Sequence, residues 1–381
     1  MKLVDIEQVK TRRPSDIKVA IEELKGILKD GVVKKAVLVD DEARIVGNDE
    51  VFEALRLLSA ERVPVVSEGE DEEVNFPLEA LGVWKQRSPR GLKVFGSVLE
   101  MVEGLWPTPL VRLSVSTLER RVFAKLEYFN PFSNSIKDRV GWYLMRGIEG
   151  DLIYEATSAN TGISLASMAS ILGKKARVYV PESVGDECIT ALRLLGAEVV
   201  RLPVKLTVEG LERVKEDAER DKAVHPNQFE NDLNFEVHMR YTARELDEQL
   251  TSIGLRPDCL IGALGTSGHM SALSIYFKSK YGTKVVGVQP SKGEVIPGMR
   301  RVESGMKWYK WAEFDELVDV RREDAVRGIV EIARRDGILV GMSSGAVYEA
   351  SKSVEGKGTY VLIFPDSGYK YLDQLKDAVR A

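Results

Sequence analysis

Cysteine and histidine are scarce in this sequence, which limits the metal and redox chemistry that it can support. The 381 residues include two cysteines, Cys188 and Cys259, and three histidines, His225, His238 and His269. The cysteines are far apart in the chain, so no CxxC pair is available to bind zinc or to exchange a disulfide. We therefore expect no metal site, and two isolated thiols favour a reducing, cytoplasmic location.

Long apolar runs and a strong excess of one charge are also missing. No stretch approaches the roughly 18 apolar residues that a membrane span requires, and the N-terminus shows no apolar signal core behind a basic start. Lys and Arg number 54 against 59 Asp and Glu, a formal net charge of −5. Such a balance argues against a dedicated nucleic-acid binder. We therefore expect a protein that binds neither membranes nor nucleic acids.

Asparagine and glutamine are rare, with 8 and 6 residues, while charged residues make up 30% of the chain. This composition is typical of proteins from hot environments, so we expect a thermophilic source. Apolar residues make up 44% of the chain, which is an ordinary globular proportion. The length predicts about two to three domains.

Residues 1–75 are predicted to form a small α/β unit. Ser15 is the predicted cap of a helix whose apolar positions run from Ile17 to Leu28 with helical spacing. Further along, the pattern predicts strands at 36–39, 43–46 and 62–66 and a helix at 51–58. The acidic run at 68–73 has no apolar residues and is predicted to be a linker or an exposed loop.

From about residue 105, short apolar strands alternate with helices. This alternation predicts parallel sheets with helices on both faces. Ligands of such folds bind at the loops that follow the carboxyl ends of the strands. The predicted strands are 152–154, 176–180, 198–202, 259–263, 285–289 and 360–364, and the predicted helices are 161–172, 189–195, 235–250, 269–279 and 326–336.

Four loops of this region have unusual chemistry. In the first, Lys137 stands at the opening of a probable helix, behind a turn that contains proline and serine. The helix dipole and burial would lower its pKa and supply the neutral amine that a Schiff-base lysine needs. The alternative is a surface lysine in a polar turn.

In the second loop, Glu155–Gly162, small hydroxyl residues and backbone amides suit an anion, and Asn160 could contact a ring hydroxyl. Ordinary helix capping by Thr157, Ser158 or Asn160 explains the same residues.

The third loop, Gly265–His269, is a glycine-rich turn between a strand and a helix, and its amides could bind a phosphate. It lacks the lysine of a nucleotide P-loop, and a tight turn without ligand is the alternative. The fourth loop, Gly341–Gly345, places Ser343 before a helix, either to bond a ring nitrogen or as a cap. Together, the four loops supply the partners of pyridoxal phosphate: an amine, a hydroxyl partner, a phosphate site and a pyridine-nitrogen partner.

The motifs resemble those of the cysteine synthase family, the pyridoxal-phosphate enzymes of fold type II. The motifs that carry this resemblance are Pro107-Thr-Pro-Leu-Val-Arg-Leu113, Ser135-Ile-Lys-Asp-Arg139, Thr157-Ser-Ala-Asn-Thr-Gly162, Asn227-Gln-Phe-Glu-Asn231, Gly265-Thr-Ser-Gly-His269 and Gly341-Met-Ser-Ser-Gly-Ala346. The resemblance implies that Lys137 forms the Schiff base, Asn160 touches the ring hydroxyl and Ser343 faces the pyridine nitrogen. It also implies a phosphate site at Gly265, Thr266, Ser267, Gly268 and His269, and a substrate-carboxylate site at Thr157, Ser158, Thr161 and Gln228.

Two loops depart from the common bacterial pattern. Ser267-Gly268-His269 replaces Gly-Gly-Thr, and Ala159 stands where glycine is usual. The segment 289–306 resembles the archaeal O-phosphoserine sulfhydrylases, in which an arginine binds the substrate phosphate. The resemblance implies that Arg300 holds this position. The chemistry agrees, because a guanidinium offers a two-pronged contact to a dianion. The neighbouring Arg301 could take this role instead.

The resemblance implies two three-layer αβα domains in residues 85–381, the smaller at about 126–245 and the larger at about 85–125 and 246–381. It also implies a homodimer that makes L-cysteine from O-phospho-L-serine and sulfide, and leaves open whether O-acetyl-L-serine is a second substrate. A dehydratase, a threonine synthase, a cystathionine β-synthase or a regulatory protein on a decayed scaffold remain alternatives. The N-terminal unit resembles the ParB/sulfiredoxin-like fold, but Asn48-Asp49-Glu50 replaces the motif of its serine kinases. A structural or regulatory role is therefore expected for this unit.

Overall fold

The N-terminal unit is a small α/β fold with its own sheet. The computed structural model describes residues 1–11, 16–83 and 93–379. The elements of this unit are β1 (Lys2–Asp5), α1 (Ile17–Asp30), β2 (Val32–Lys35), β3 (Val37–Val39), β4 (Ile45–Gly47), α2 (Asp49–Leu57), β5 (Arg62–Ser67) and β6 (Glu73–Pro77). The predicted cap Ser15 lies outside the described residues. Asp16 caps α1 instead, because its side chain accepts a hydrogen bond from the Lys18 amide at 2.9 Å.

Strand β6 extends this unit beyond the acidic run that was predicted to end it. The four-stranded sheet has the order β1-β5-β3-β4, and β2 and β6 form a separate antiparallel pair. In β6, polar and apolar residues alternate, and Phe76 packs against the buried core. The alternation is short and follows five acidic or glycine positions, which is why the sequence pattern did not separate the strand from the loop.

The remaining described residues form two parallel sheets flanked by helices. The strands are β7 (Leu110–Arg112), β8 (Arg120–Leu126), β9 (Leu152–Ala156), β10 (Lys175–Pro181), β11 (Glu198–Leu202), β12 (Cys259–Ala263), β13 (Lys284–Pro290), β14 (Glu316–Val320) and β15 (Gly358–Phe364). The helices are α3 (Met101–Gly104), α4 (Lys137–Met145), α5 (Asn160–Ile171), α6 (Asp186–Leu194), α7 (Leu211–Asp221), α8 (Leu233–Val237), α9 (Arg244–Thr251), α10 (Gly268–Tyr281), α11 (Arg322–Asp336), α12 (Met342–Ser353) and α13 (Leu372–Leu375). Among the described helices, none is long and apolar enough to cross a membrane.

The topology places the chemical loops at one edge of the two sheets. The small sheet has the order β11-β10-β9 and is parallel. The large sheet has the order β14-β13-β12-β15-β8-β7 and is parallel except for the edge strand β7. Strands β8, β9, β12, β13 and β15 all end at the space between the sheets, where fold principles place a ligand.

One hydrophobic core joins the N-terminal unit to the large sheet. Apolar side chains of α1, such as Ile21 and Leu24, belong to the same buried cluster as Leu246 and Leu273 of α9 and α10. The connection between α8 and α9 is a π-helical turn, His238–Ala243, within the single long helix that the sequence predicted at 235–250. The two units therefore form one folded body.

Candidate active site

A cleft between the two sheets brings most of the predicted site residues together. It has an empty volume of about 950 Å³. Ten of the thirteen predicted residues line it, namely Lys137, Ser158, Asn160, Thr161, Gln228, Gly265, Thr266, His269, Arg300 and Ser343. The other three, Thr157, Ser267 and Gly268, are buried in the loops that form its wall.

Lys137 begins α4, and its side chain lines the cleft. The loop before it is tied to the first turn of the helix, because the buried Asp138 carboxylate accepts hydrogen bonds from the Phe132 amide at 2.7 Å and the Ser133 hydroxyl at 2.6 Å. Within the described ranges, Lys137 Nζ makes no hydrogen bond or ion pair. Burial lowers the pKa of this amine to about 8, against the opposing charge of Asp366. A useful fraction is therefore neutral and nucleophilic near neutral pH.

The loop at Gly265–His269 has the features of an anion site. A Cβ at Gly265 would lie 2.5 Å from the Gly298 carbonyl oxygen, so only glycine fits there. Helix α10 begins at Gly268, and its first-turn amides lie at the loop. Ser267 Oγ and His269 Nε2 are buried and have no hydrogen-bond partner among the described residues. Burial lowers the pKa of His269 to about 3, so the ring is neutral and can donate to a phosphate from one nitrogen.

Both departures from the family pattern lie at left-handed backbone positions. Ala159 has φ of 106° and Ser267 has φ of 72°. Glycine adopts these angles without cost, whereas a side chain makes them strained. The structure thus explains why glycine is usual at these positions, and it shows that this chain keeps the same loop conformations without it.

The loop after β9 is interlocked with the residue Gln228. Thr161 Oγ1 donates to Gln228 Oε1 at 2.6 Å, and Gln228 Nε2 donates to the Ala156 carbonyl at 2.9 Å. Thr157 Oγ1 accepts from the Ala159 and Gly162 amides, both at 3.2 Å, which is the capping role left open by the sequence. Ser158 is exposed to the cleft. Nearby, burial raises the pKa of Glu155 to about 8, so this carboxyl is largely protonated at neutral pH.

Asn160 contacts two charged residues that the sequence analysis missed. Its Nδ2 donates to Asp366 Oδ2 at 2.8 Å, and its Oδ1 accepts a short hydrogen bond from Lys370. Asp366 follows the carboxyl end of β15, so the rule that placed ligands after strand ends could have found it. Ser343 lies in the first turn of α12, and its hydroxyl has no partner within the part of the chain that the structure describes.

The structure separates the two candidate arginines. Arg301 donates to Asp319 at 2.7 Å and pairs with Glu303 at 3.0 Å. Arg300 is 9% exposed, lies with its guanidinium carbon 5.0 Å from the centre of the Phe229 ring, and forms no ion pair among the described residues. Its Nε donates to the Gly265 carbonyl at 3.0 Å, which leaves both terminal nitrogens for a ligand in the cleft.

The charged residues that line the cleft are Lys137, Lys205, Arg300 and Asp366. Three cations thus face one carboxylate, which favours an anionic ligand. Among the described residues, no group of three or more His, Cys, Asp or Glu side chains could bind a metal ion.

Comparisons with known proteins agree with this geometry. A family model described as pyridoxal-phosphate dependent enzyme matches residues 102–366. A cysteine synthase from Staphylococcus aureus (strain Mu50) is 32% identical over 289 residues, which is 70% of this chain and 92% of the relative. A probable cysteine synthase from Bacillus subtilis is 31% identical over 306 residues, which is 74% of this chain and 97% of the relative. The crystal structure of O-acetyl serine sulfhydrylase isoform 3 from Entamoeba histolytica matches with a TM-score of 0.64 and 28% identity, covering 78% of this chain and 95% of that one.

The cleft fits pyridoxal phosphate in its chemistry. The amine of Lys137 has no partner, the buried polar atoms of Ser267 and His269 are unsatisfied at a helix start, and the hydroxyl of Ser343 is free of other bonds among the described residues. The family match spans well over half of the chain, and the cysteine synthases match it along nearly their whole length. As the motifs predicted, this chain belongs to the pyridoxal-phosphate dependent enzymes of fold type II, is a homologue of the cysteine synthases, and uses pyridoxal 5′-phosphate as its cofactor.

Proposed function

We propose that this enzyme makes L-cysteine by β-replacement, using O-phospho-L-serine as its preferred amino-acid substrate and sulfide as the nucleophile. The observation that carries the proposal is Arg300, a buried guanidinium in the cleft without a carboxylate partner among the described residues. Burial lowers the pKa of Arg300 to about 10, so it stays charged at neutral pH. The charge of Glu230 opposes this effect of burial, but Glu230 forms no ion pair with Arg300 among the described residues. A dianionic phosphate would give this desolvated cation a direct partner.

The cysteine synthase relatives support the reaction type. Their names describe cysteine formation, and that of the Entamoeba histolytica neighbour describes a sulfhydrylase acting on O-acetyl serine. The ester group of acetylserine is uncharged, so Arg300 and Lys205 would have no anionic group to contact at the leaving-group end of that substrate. The cationic lining therefore favours the phosphorylated one.

The cofactor, when bound, supplies an electron sink for negative charge at the substrate Cα. Lys137 would bind it covalently through Nζ, and the loop from Gly265 to His269 would bind its phosphate. The same Nζ, once released, is the group placed to take the proton from Cα and to return it. Ser343 offers a neutral hydroxyl to the ring nitrogen, and Arg300 stabilises the departing phosphate.

The carboxylate of the substrate would lie at the loop after β9. Ser158 offers its exposed hydroxyl and Gln228 the second hydrogen of its Nε2, while the bonds of Gln228 to Thr161 and Ala156 fix its orientation. Because these groups are fixed before the substrate arrives, little conformational entropy is lost on binding.

The test compares Arg300→Ala with the matched control Arg301→Ala, since the two arginines are adjacent and differ in their partners. We expect Arg300→Ala to lower kcat/KM for O-phosphoserine by about 2–4 kcal/mol, or roughly 30- to 900-fold, and to leave O-acetylserine turnover much less affected. Cysteine and phosphate are measured in parallel with sulfide present. Arg301→Ala should change both substrates little.

If Arg300→Ala lowered kcat/KM equally for O-phosphoserine and O-acetylserine, that result would contradict the phosphate role of Arg300. Release of phosphate without formation of cysteine, accompanied by a keto acid, would instead indicate a dehydratase. A wild-type enzyme that turns over O-acetylserine but ignores O-phosphoserine would keep the reaction class and overturn the proposed substrate.

A further inference from the structure

Asp366 occupies a position at the cofactor site for which the proposed reaction has so far given no role. We infer that Asp366 is a positioning residue that, together with Lys370, fixes which end of the Asn160 amide can reach the cofactor ring. The inference rests on the proposed function, because it takes Asn160 as the partner of the ring hydroxyl.

Each end of the Asn160 amide contacts a charged group that can form a hydrogen bond in only one direction. Asp366 is a carboxylate and only accepts hydrogen bonds, so it takes a hydrogen from Nδ2 at 2.8 Å. Lys370 is an ammonium and only donates, so it binds Oδ1. Reversing the amide would place Oδ1 against the carboxylate and Nδ2 against the ammonium, and both contacts would become repulsive.

These two charges are themselves fixed by their neighbours. The Tyr371 hydroxyl donates to Asp366 Oδ2 at 2.6 Å, and Lys370 donates to the Ser133 carbonyl at 2.6 Å. Asp366 is 2% exposed. A Cβ at Gly341 would lie 1.9 Å from Asp366 Oδ1, so glycine is required beside the carboxylate.

The consequence is that Asn160 has one remaining Nδ2 hydrogen for a group in the cleft. A donor favours the ionised form of a ring hydroxyl, whereas an amide turned around would present an oxygen and disfavour it. The protonation state of the ring hydroxyl changes the visible absorption of the bound cofactor. The orientation of this amide can therefore be followed in the absorption spectrum, without measuring turnover.

A double-mutant cycle on the cofactor-loaded full-length enzyme tests this inference. Asp366→Asn replaces the acceptor by a group that can also donate, with little change in shape. We expect Asp366→Asn and Asn160→Ala each to change the ratio of the two long-wavelength absorption bands at least two-fold. The double variant should show no larger change than Asn160→Ala alone, because the aspartate acts through the asparagine.

Tyr371→Phe removes hydrogen bonds to both Asp366 and Asn160, so any shift that it causes should also disappear in the Asn160→Ala background. Asp373→Asn is the matched control, since it removes an exposed carboxylate seven positions from Asp366, and its spectrum should match the wild type. If Asp366→Asn does not fold, Lys370→Met tests the other end of the amide, with the same expectation of a shift that disappears in the Asn160→Ala background. Far-ultraviolet circular dichroism and cofactor content identify folded, loaded variants.

Additive shifts would show that Asp366 acts by another route, such as its charge on Lys137, and would overturn the inference. So would an unchanged spectrum in loaded Asp366→Asn. The proposed reaction is assayed separately: wild-type enzyme that forms no cysteine refutes the function, whereas active enzyme with an additive cycle refutes only the positioning role.

Discussion

At the residue scale, the site contains polar groups that have no partner in the described part of the chain. Ser267 Oγ and His269 Nε2 are buried there without a hydrogen bond, and the half-buried Lys137 makes no hydrogen bond through Nζ. Leaving a buried polar group unsatisfied costs roughly 1–3 kcal/mol. A cluster of such groups in one cleft is therefore expected where a ligand supplies the missing bonds.

The lowered pKa of Lys137 predicts how cofactor capture depends on pH. Only the neutral amine attacks an aldehyde, and Lys137 is neutral above its pKa of about 8. In cofactor-free protein mixed with pyridoxal phosphate, the rate of attachment should rise with pH and level off above about 8. The rate is followed by visible absorbance. Lys137→Ala should show no attachment, and a midpoint near 10.5, the ordinary value, would contradict the burial of this amine.

The two arginines show what a sequence pattern can and cannot decide at this scale. Arg300 and Arg301 are neighbours with the same side chain, and nothing in the local pattern separates them. Their partners do: Arg301 is paired with two carboxylates that lie on the following turn and on β14. The free guanidinium is therefore identified by tertiary contacts.

At the scale of elements, α11 and α12 pack closely because each contributes a glycine to the contact. A Cβ at Gly345 would lie 2.1 Å from the Ala325 carbonyl oxygen, and one at Gly328 would lie 2.4 Å from the Gly345 carbonyl oxygen. Since Ser343 lies in the first turn of α12, this packing also positions its hydroxyl in the cleft. The glycine that closes the fourth loop motif is thus required by helix packing.

Gly345→Ala should therefore destabilise the protein. The methyl group meets backbone, which cannot move aside without displacing the helix, and overpacking of this kind costs about 1–3 kcal/mol. The measurement is the free energy of unfolding by denaturant. Gly26→Ala in α1 is the matched control: the site has open space, and the better helix propensity of alanine should stabilise by up to about 1 kcal/mol. If Gly345→Ala and Gly26→Ala changed the free energy of unfolding by similar amounts, the packing argument would be contradicted.

The predicted elements agree best where a run of residues is fully buried. The strand predicted at 259–263 coincides with β12, and the predicted helix at 269–279 lies within α10. The sequence analysis missed α7, β14 and the π-helical turn between α8 and α9. Helix α7 is largely charged and has only three apolar residues, Leu211, Val214 and Ala218, and β14 is a short strand that contains two acidic residues, so both were overlooked among the polar segments.

At the scale of the whole molecule, the N-terminal unit is attached by charge as well as by apolar packing. Arg56 of α2 donates from both terminal nitrogens to Glu236 of α8, at 2.5 and 2.8 Å. Glu236 is 3% exposed and also binds Tyr143 and Arg240. Burial alone would raise the pKa of Glu236, but these partners keep it below its usual value. Helix α8 also carries Asn234, which donates to Thr266 in the glycine-rich loop Gly265–His269 at 3.0 Å.

Arg56→Ala should lower the stability of the full chain. It removes the cationic partner from a buried carboxylate while the other contacts of Glu236 remain, so we expect a loss of about 1–3 kcal/mol. Lys34→Ala, which breaks the exposed pair with Asp30, serves as the control and should stay within about 0.5 kcal/mol. Denaturant unfolding of both variants measures the difference. Equal, small effects would mean that the apolar core alone attaches the unit.

The sequence by itself determined the strand–helix alternation, the order of the four chemical loops and hence the family and its cofactor. These features depend on residues that lie within a few positions of one another in the chain. Hydrophobic periodicity, turn residues and short motifs therefore reveal them. Tertiary structure decided which arginine has no ion pair within the described ranges, that Asp366 and Lys370 bind the two ends of the Asn160 amide, and that the N-terminal unit is joined to α8 and α10. Those properties arise between distant residues: Lys370 and Asn160 are 210 positions apart, and α1 and α10 are further apart still. Burial and charge pairing depend on what the folded chain brings together, which no local pattern records.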